Sequence, residues 1–293
     1  MVSKSWGSRL FDVLNYSVLL LLVVAIIYPL YYMFIVSISD GLHVIRGDVK
    51  FWPINVNLET YRVILSDSSI TTAYMNTLLY TSTGTLLNVA MTALCAFPLA
   101  RRKLYGRSVI TVFILFTMFF SGGIIPNYIL IKGLGLLDTM WAIVLPPAIN
   151  VWYMIIMRTF FQSIPEEIYE SSTMDGANDM ITFFRITLPL SVPVIATMVM
   201  FYAVWHWNSF FPSLLYLSSK SMYPVQLMMR NVVIDGDLSA HQGSIGGSEL
   251  ELLVSANNVK YAVIWITILP ILLVYPFVQK YFVKGVMVGS LKG

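Results

Sequence analysis

The chain has 293 residues, of which 57% are hydrophobic and only 11% charged, and its mean hydropathy is +0.75. A soluble domain carries about 25% charged residues because its surface faces water. Most of this chain's surface must therefore face lipid, and the composition predicts an all-α integral membrane protein. The net charge is only +3, with no basic cluster beside a base-stacking surface, which argues against nucleic-acid binding.

Residues that support common chemistries are scarce. The single cysteine, Cys95, excludes an internal disulfide and a multi-cysteine metal site. The histidines, His43, His206 and His241, lie far apart without the spacing of a metalloenzyme. No P-loop motif occurs, so the chain is not itself a P-loop ATPase. We expect no metal or cofactor in this chain.

Six apolar segments can each cross the roughly 30 Å hydrocarbon core, which requires about 20 helical residues. We number them spans one to six: 13–37, 71–100, 108–131, 139–157, 186–217 and 261–278. Gly122-Gly123 and Pro126 interrupt span three, and Pro146-Pro147 interrupt span four. The first apolar stretch is too long for a signal peptide, so we expect an uncleaved anchor and one domain over 1–293.

Lysine and arginine predict the orientation, because cytoplasmic loops carry more of them. Six spans place both termini on one side of the membrane. That side also holds 11 of the 18 basic residues, including the cluster Arg101-Arg102-Lys103. We therefore expect both termini in the cytoplasm and the segments 40–70 and 218–260 outside.

The cytoplasmic loop at 160–189 contains signals for a short helix. Ser163 and Glu166 have the spacing of a capping box, and Pro165 suits a first turn, so this helix should begin near Ile164. Gly176 should end it, because glycine adopts the left-handed conformation at little cost.

A second short helix should follow directly, with Asn178 as its N-cap. Two helices joined by a fixed elbow form a rigid projection. Its acidic residues are Glu166, Glu167, Glu170, Asp175 and Asp179, against the basic Arg158 and Arg185. Such a projection suits docking into a basic cleft of another protein, but a solvated amphipathic connector has the same composition.

The same loop resembles the EAA loop of permease subunits in bacterial ATP-binding-cassette (ABC) importers. That pattern reads Glu-Ala-Ala, three residues, Gly, nine residues, Ile, one residue, Leu-Pro. The chain matches every spacing with Glu170-Ser171-Ser172, Gly176, Ile186 and Leu188-Pro189. Two serines replace the alanines, and because both are small, close helix packing should survive with a slightly more polar contact.

The resemblance extends over nearly the whole chain and implies the six-helix type I permease fold of ABC importers. It is closest to the carbohydrate branch, the type of the second permease of the maltose importer. The segments 121–126 and 205–210 look like those of polysaccharide and oligouronide importers. The implied substrate is an oligosaccharide or polysaccharide, with alginate as the specific prediction.

By this resemblance the chain is a subunit without catalytic activity in the bacterial inner membrane. It forms the pathway with a second, distinct permease, and an ATPase dimer beneath them binds ATP and Mg²⁺. The tail at 284–293 reaches between the ATPase subunits. The segment 218–260 contacts an extracytoplasmic solute-binding protein, although a plain mobile loop is the alternative. The implied ATPase-coupling residues are Glu166, Glu167, Glu170, Ser171, Ser172, Asp175, Gly176, Ala177, Leu188 and Pro189.

Polar and aromatic residues within the spans are candidates for the substrate pathway, because polar groups in a membrane usually face a cavity or a bundle interior. Sugars bind to aromatic surfaces and convergent hydrogen-bonding groups. The alternative is that such residues only tie helices together, which we favour for Asn76 and Asn88. The pathway candidates are Asn150, Tyr153, Trp205, His206, Trp207 and Asn208.

Two other classes of function compete with the importer permease. A secondary transporter needs ion-coupling carboxylates, but no Asp or Glu falls within any of the six predicted spans. A membrane-embedded enzyme needs His, Asp, Glu or Ser clustered at catalytic spacing, and no such cluster occurs. A permease for another solute class also remains as an alternative.

Overall fold

The computed structural model describes residues 6–235 and 257–276, and the regular structure in these two ranges is helical. Residues 236–256 of the predicted external segment 218–260 and the tail 284–293 lie outside the described residues. The helices in chain order are α1 (Trp6–Ser37), α2 (Gly41–Ile45), α3 (Glu59–Ser66), α4 (Ser68–Ala100), α5 (Arg107–Phe119), α6 (Ile124–Gly133), α7 (Trp141–Val144), α8 (Val151–Gln162), α9 (Glu166–Met174), α10 (Asp179–Thr182), α11 (Leu188–Leu190), α12 (Val192–Asn208), α13 (Phe211–Tyr216), α14 (Val225–Arg230) and α15 (Asn257–Pro276).

Among the described residues, three helices are each long and apolar enough to cross a bilayer alone. They are α1, α4 and α15, with 32, 33 and 20 residues. Since an α-helix rises 1.5 Å per residue, about 20 residues cover the hydrocarbon core. These helices overlap the predicted spans one, two and six.

Two helix pairs are sharply bent. The pair α5 and α6 bends by 111°, and the segment 179–190 bends by 82° against α12. The first bend contains Gly123, whose φ of +86° favours glycine. The second bend lies at Ser191, between Pro189 and Pro193, where a proline cannot donate the helical hydrogen bond. The described chain thus holds three spanning helices, or five if each bent pair is one span.

The predicted span four is interrupted where the sequence analysis expected, whereas the predicted span five contains breaks that the sequence analysis did not expect. Span four is divided into α7, with only four residues, and α8, with 12, on either side of Pro146-Pro147. Helix α12 ends at Asn208, because Ser209 has an extended backbone, and α13 is a separate helix. The count of six spans stays a prediction.

The described residues form two compact units, 6–68 with 229–235 and 257–269, and 69–228 with 270–276. One domain over 1–293 stays a prediction. In the first unit, Ile35, Val36 and Val49 are buried together. Asn258 donates from Nδ2 to the Ser39 carbonyl at 2.7 Å, which attaches the start of α15 to the end of α1.

In the second unit, α4, α8, α9 and α12 pack around a shared core. Met154, Met157, Phe161 and Met198 are fully buried in it. Helix α4 contributes small side chains, including Ala96, so neighbouring helices approach closely. Because lipid tails are as apolar as the side chains, this packing rests on van der Waals contact rather than on exclusion of water.

Polar side chains form hydrogen bonds with backbone groups where span four is interrupted. Asn88 of α4 donates from Nδ2 to the Pro147 carbonyl, and the Asn150 backbone N–H donates to the Tyr202 hydroxyl at 3.0 Å. That hydroxyl also lies 2.7 Å from Thr92 Oγ1. The break is thereby attached to both α4 and α12.

At Gly84, helix α4 lies directly against the His206 side chain of α12. A Cβ added at Gly84 would lie 2.4 Å from Cε1 and Nε2 of His206, so only glycine fits against this ring. His206 is only 5% exposed, and its Nε2 lies 3.3 Å from Asn88 Oδ1. This contact between α4 and the His206 ring therefore requires a residue without a side chain at position 84.

We predict that Gly84→Ala destabilises the protein by about 1–3 kcal/mol, because the new methyl group must displace a buried ring. Thermal melting of the detergent-solubilised protein measures the effect. Gly133→Ala is the matched control, since a Cβ there meets nothing within 4 Å and this position is also helical. A melting temperature for Gly84→Ala equal to that of the control would contradict the predicted clash.

The side chain of Asp138, which precedes α7, binds the chain at Ser218 and Ser219, which follow α13. One carboxylate oxygen accepts the backbone N–H groups of Ser218 and Ser219, both at 2.9 Å, and the other accepts the Ser219 hydroxyl. These hydrogen bonds, from the Ser219 hydroxyl first, lower the pKa of Asp138 below its ordinary value. Asp138 itself has a φ of +56°, a conformation that Asp tolerates.

A lowered pKa means that the ionised carboxylate stabilises the fold at neutral pH and loses this effect on protonation. We expect wild type to melt at a higher temperature than Asp138→Asn at pH 7. The difference should shrink as the pH falls below 3.8, the ordinary value for this group. Melting curves of the two proteins from pH 7 to pH 3 test this, and a pH-independent difference would exclude the assigned role of the charge.

Candidate functional site

The loop at 160–189 folds as two short helices, as the sequence predicts, but α9 begins later than expected. Ser163 does not form the predicted capping box. Its hydroxyl donates to the Phe160 carbonyl at 2.7 Å, and its backbone is still helical, so Ser163 ends α8. Pro165 has an extended backbone, and α9 therefore begins at Glu166 rather than near Ile164.

The junction between α9 and α10 is a tight elbow. Gly176 has a φ of +79°, and its N–H donates to the Thr173 carbonyl at 3.0 Å, while Ala177 N–H donates to Ser172 O at 2.9 Å. This is the left-handed helix end that the sequence predicts. The predicted N-cap is also present, since Asn178 Oδ1 accepts Ile181 N–H at 2.9 Å.

The two serines of the motif point in opposite directions. Ser171 is exposed, whereas Ser172 is only 4% exposed. The Ser172 hydroxyl donates to the Tyr169 carbonyl at 2.8 Å and lies 3.3 Å from Thr182 Oγ1. Ser172 thus packs where α9 meets α10 and joins the two helices by a polar contact.

Many exposed side chains of the elbow are acidic or apolar. We call this set the elbow surface, and it consists of Glu167, Glu170, Met174, Asp175, Asp179, Met180 and Phe184. Met174 is 87% exposed, although methionine is usually buried. Exposed apolar groups beside acidic groups are typical of a surface that another protein covers.

The remaining residues of the predicted coupling set lie around this surface. Glu166 does not belong to the elbow surface, and its Oε2 lies 3.8 Å from Arg102 Nε. Ala177 and Leu188 are half-buried, and Pro189 is exposed.

The sequence analysis missed a contact that attaches the elbow to α4. The Arg101 guanidinium carbon lies 4.2 Å from the centroid of the Tyr169 ring and 5.8 Å from that of Phe97. Burial raises the pKa of the Tyr169 hydroxyl above its ordinary value. No sequence signal links Arg101 with Tyr169, because they meet only through the packing of α4 against α9.

Asn150 and Tyr153, two of the pathway candidates, lie at the start of α8. Asn150 caps this helix, and its Oδ1 accepts Tyr153 N–H at 3.2 Å. The Tyr153 ring stacks on Phe201 at 5.2 Å and meets Tyr202 edge-on at 5.0 Å between centroids. The Asn150 side chain is exposed, so it has surface available for a solute.

The other four candidates lie at the end of α12 and differ in exposure. His206 is buried against Gly84, whereas Trp205 is 39% exposed and meets the His206 ring edge-on. Trp207 lies 6.4 Å from Tyr74 between ring centroids. Asn208 is exposed, and its Nδ2 donates to the Val204 carbonyl at 2.8 Å.

A nearby pocket has a volume of about 210 Å³ and is lined by other residues, including Ser121, Asn127, Phe211 and Tyr216. Among the described residues, no three His, Cys, Asp or Glu side chains lie together as metal ligands would. Asn76 donates to the carbonyls of Ser221 and Tyr223, so in this chain it joins a helix to a loop.

Comparisons with known proteins agree with this fold. Residues 82–288 match the family model of the binding-protein-dependent transport system inner membrane component. The polygalacturonan/rhamnogalacturonan transport system permease protein YtcP of Bacillus subtilis (strain 168) is 39% identical over 286 residues, which cover 98% of this chain and 99% of that protein.

Two solved structures share the fold. A chain from the crystal structure of a bacterial ABC transporter involved in the import of the acidic polysaccharide alginate has a TM-score of 0.89 and 32% identity, over 96% of this chain and 100% of that one. A chain from the bacterial alginate ABC transporter in complex with alginate pentasaccharide-bound periplasmic protein has a TM-score of 0.51 and 18% identity, over 91% and 95%. The family match over most of the chain and the full-length relative show that this chain belongs to the family of binding-protein-dependent transport system inner membrane components.

Proposed function

We propose that this chain is one of two permease subunits in an ATP-driven importer of acidic saccharides and that the elbow surface docks on an ATPase subunit. The observation that carries the proposal is the rigid elbow itself. Its motif spacing is intact from Glu170 to Pro189, and its acidic face is exposed at a fixed position.

The docking role follows from the contacts of the elbow. Ser172 and Thr182 hold α9 against α10, and Tyr169 is buried in the core of the second unit. A partner that presses on the exposed face therefore moves both short helices together. Glu170 supplies a carboxylate for an arginine in the ATPase cleft, and Met174 supplies an apolar contact. ATP and Mg²⁺ are bound by the ATPase partner.

An acidic saccharide suits both the relatives and the sequence. Polygalacturonan and rhamnogalacturonan, in the name of one relative, and alginate, in the description of one structure, are polymers with carboxylated sugars. The six predicted spans contain no Asp or Glu, so a carboxylated substrate meets no like charge there. Trp205, Tyr153 and Asn150 provide aromatic surface and hydrogen-bonding groups along the pathway.

The partners and orientation complete the proposal. A second permease forms the other half of the pathway, and both termini lie in the cytoplasm. A solute-binding protein delivers the saccharide to the external segments 40–70 and 218–260. The complex of the alginate transporter with its periplasmic protein supports this arrangement.

We predict that Gly176→Val uncouples ATP hydrolysis from uptake. The φ of +79° is unfavourable for a β-branched residue, so the elbow must change shape. Gly176→Asn is the matched control, because asparagine tolerates this conformation and a Cβ at Gly176 meets nothing within 4 Å. The measurement is saccharide transported per ATP hydrolysed by the assembled importer in proteoliposomes.

The expected result is a ratio near zero for Gly176→Val and a ratio near wild type for Gly176→Asn, with equal amounts of ATPase subunit co-purified. A wild-type ratio for Gly176→Val would show that the elbow does not couple the two processes.

We also predict which saccharides the importer accepts. In proteoliposomes with the cognate binding protein, oligogalacturonides or alginate oligosaccharides should stimulate ATP hydrolysis more than neutral malto-oligosaccharides of equal length. The basis for this expectation is the acidic polysaccharides in the name of the relative and in the description of the solved structure. Stronger stimulation by the neutral sugars would contradict the acidic-saccharide assignment while leaving the coupling assignment intact.

A further inference from the structure

Arg101 lies where α4 ends and contacts two helices at once. Its guanidinium carbon is 4.2 Å from the ring centroid of Tyr169, on α9, and 5.8 Å from that of Phe97, on α4. Both rings are buried, with exposures of 5% and 7%. The cation therefore bridges the long helix and the first helix of the elbow.

The surroundings of Arg101 indicate that the rings are its main partners. Its Nη1 atom is buried and has no hydrogen-bond partner in the part of the chain that the structure describes. Arg101 as a whole is half-buried, and a charged N–H group that is shielded from water without a hydrogen-bond partner is costly. Cation–π attraction is strongest where the cation is desolvated, and a guanidinium stacks well on an aromatic face. The Tyr169 ring thus compensates for the water that Arg101 has lost.

The neighbouring basic residues do not share this position. Arg102 is exposed, and its 3.8 Å ion pair with Glu166 is of the solvent-screened kind that contributes little. Lys103 is exposed. Arg158 donates from Nε to the Leu99 carbonyl at 3.0 Å, so it binds the end of α4 rather than the elbow.

We propose that Arg101 is a positioning residue that attaches the coupling helix α9 to α4, so that a displacement of the elbow is transmitted to α4. The proposal rests on the coupling role assigned to the elbow above. It adds the route by which movement at the ATPase contact reaches the membrane-spanning helices, through Tyr169, Arg101 and Phe97.

The test uses the assembled importer in proteoliposomes and measures saccharide transported per ATP hydrolysed. Arg101→Leu should lower this ratio by about five- to thirtyfold, since it removes the cation. Arg101→Lys keeps the charge and should lie between Arg101→Leu and wild type. Lys103→Leu removes the same charge from the same turn and should keep the wild-type ratio.

The ratio separates positioning from a purely structural role, because loss of folded complex lowers transport and hydrolysis together. Tyr169→Leu provides an independent variant should Arg101→Leu fail to assemble, and it should lower the ratio to a similar degree. The double variant should be no worse than either single variant, since both remove the same contact.

A wild-type ratio in Arg101→Leu, or in Tyr169→Leu when the former does not assemble, would overturn the proposal, as would fully additive effects in the double variant. Gly176→Val distinguishes a failure of the proposed route through Arg101 from a failure of the elbow's coupling role. If Gly176→Val uncouples the importer and the Arg101 variants do not, only the route through Arg101 fails. If Gly176→Val itself leaves coupling intact, the coupling role of the elbow fails.

Discussion

The fold of the second unit depends on hydrogen bonds to the backbone groups that lose their helical partners where a predicted span is interrupted. Within a bilayer each unpaired N–H or carbonyl costs several kcal/mol, so an interrupted helix needs partners from its neighbours. Pro146-Pro147 interrupt the predicted span four, and Asn88 and Tyr202 supply the missing hydrogen bonds from α4 and α12. The same two side chains thereby set where α8 begins relative to both helices.

The position of the elbow follows from this arrangement. Helix α8 starts at Val151, fixed by its capping residue, and ends at Gln162, three residues before Pro165 extends the chain. Phe161 at its end and Tyr169 on α9 are buried in the same core. The elbow surface is therefore attached through buried residues to the core of the second unit, although its own side chains are exposed.

Local constraints were predictable from the sequence, and tertiary ones were not. The glycine elbow at Gly176 and the Asn178 cap depend on neighbouring backbone, so their residue types indicated them correctly. The capping box predicted at Ser163 is wrong because a serine between two helices can end the first as readily as it can begin the second. The burial of His206 and the contact of Arg101 with Tyr169 depend on helices distant in sequence. No spacing rule in a single sequence describes them.

The contact between Gly84 and the His206 ring affects how α4 is held. Gly84 is the middle residue of α4, with 16 residues on either side, which corresponds to about 24 Å per arm at 1.5 Å per residue. The buried His206 ring leaves no space for α4 to slide at this point. Asn76 and Tyr80 before Gly84, and Asn88 and Thr92 after it, also hydrogen-bond to other parts of the second unit, so α4 is held on both sides of this contact.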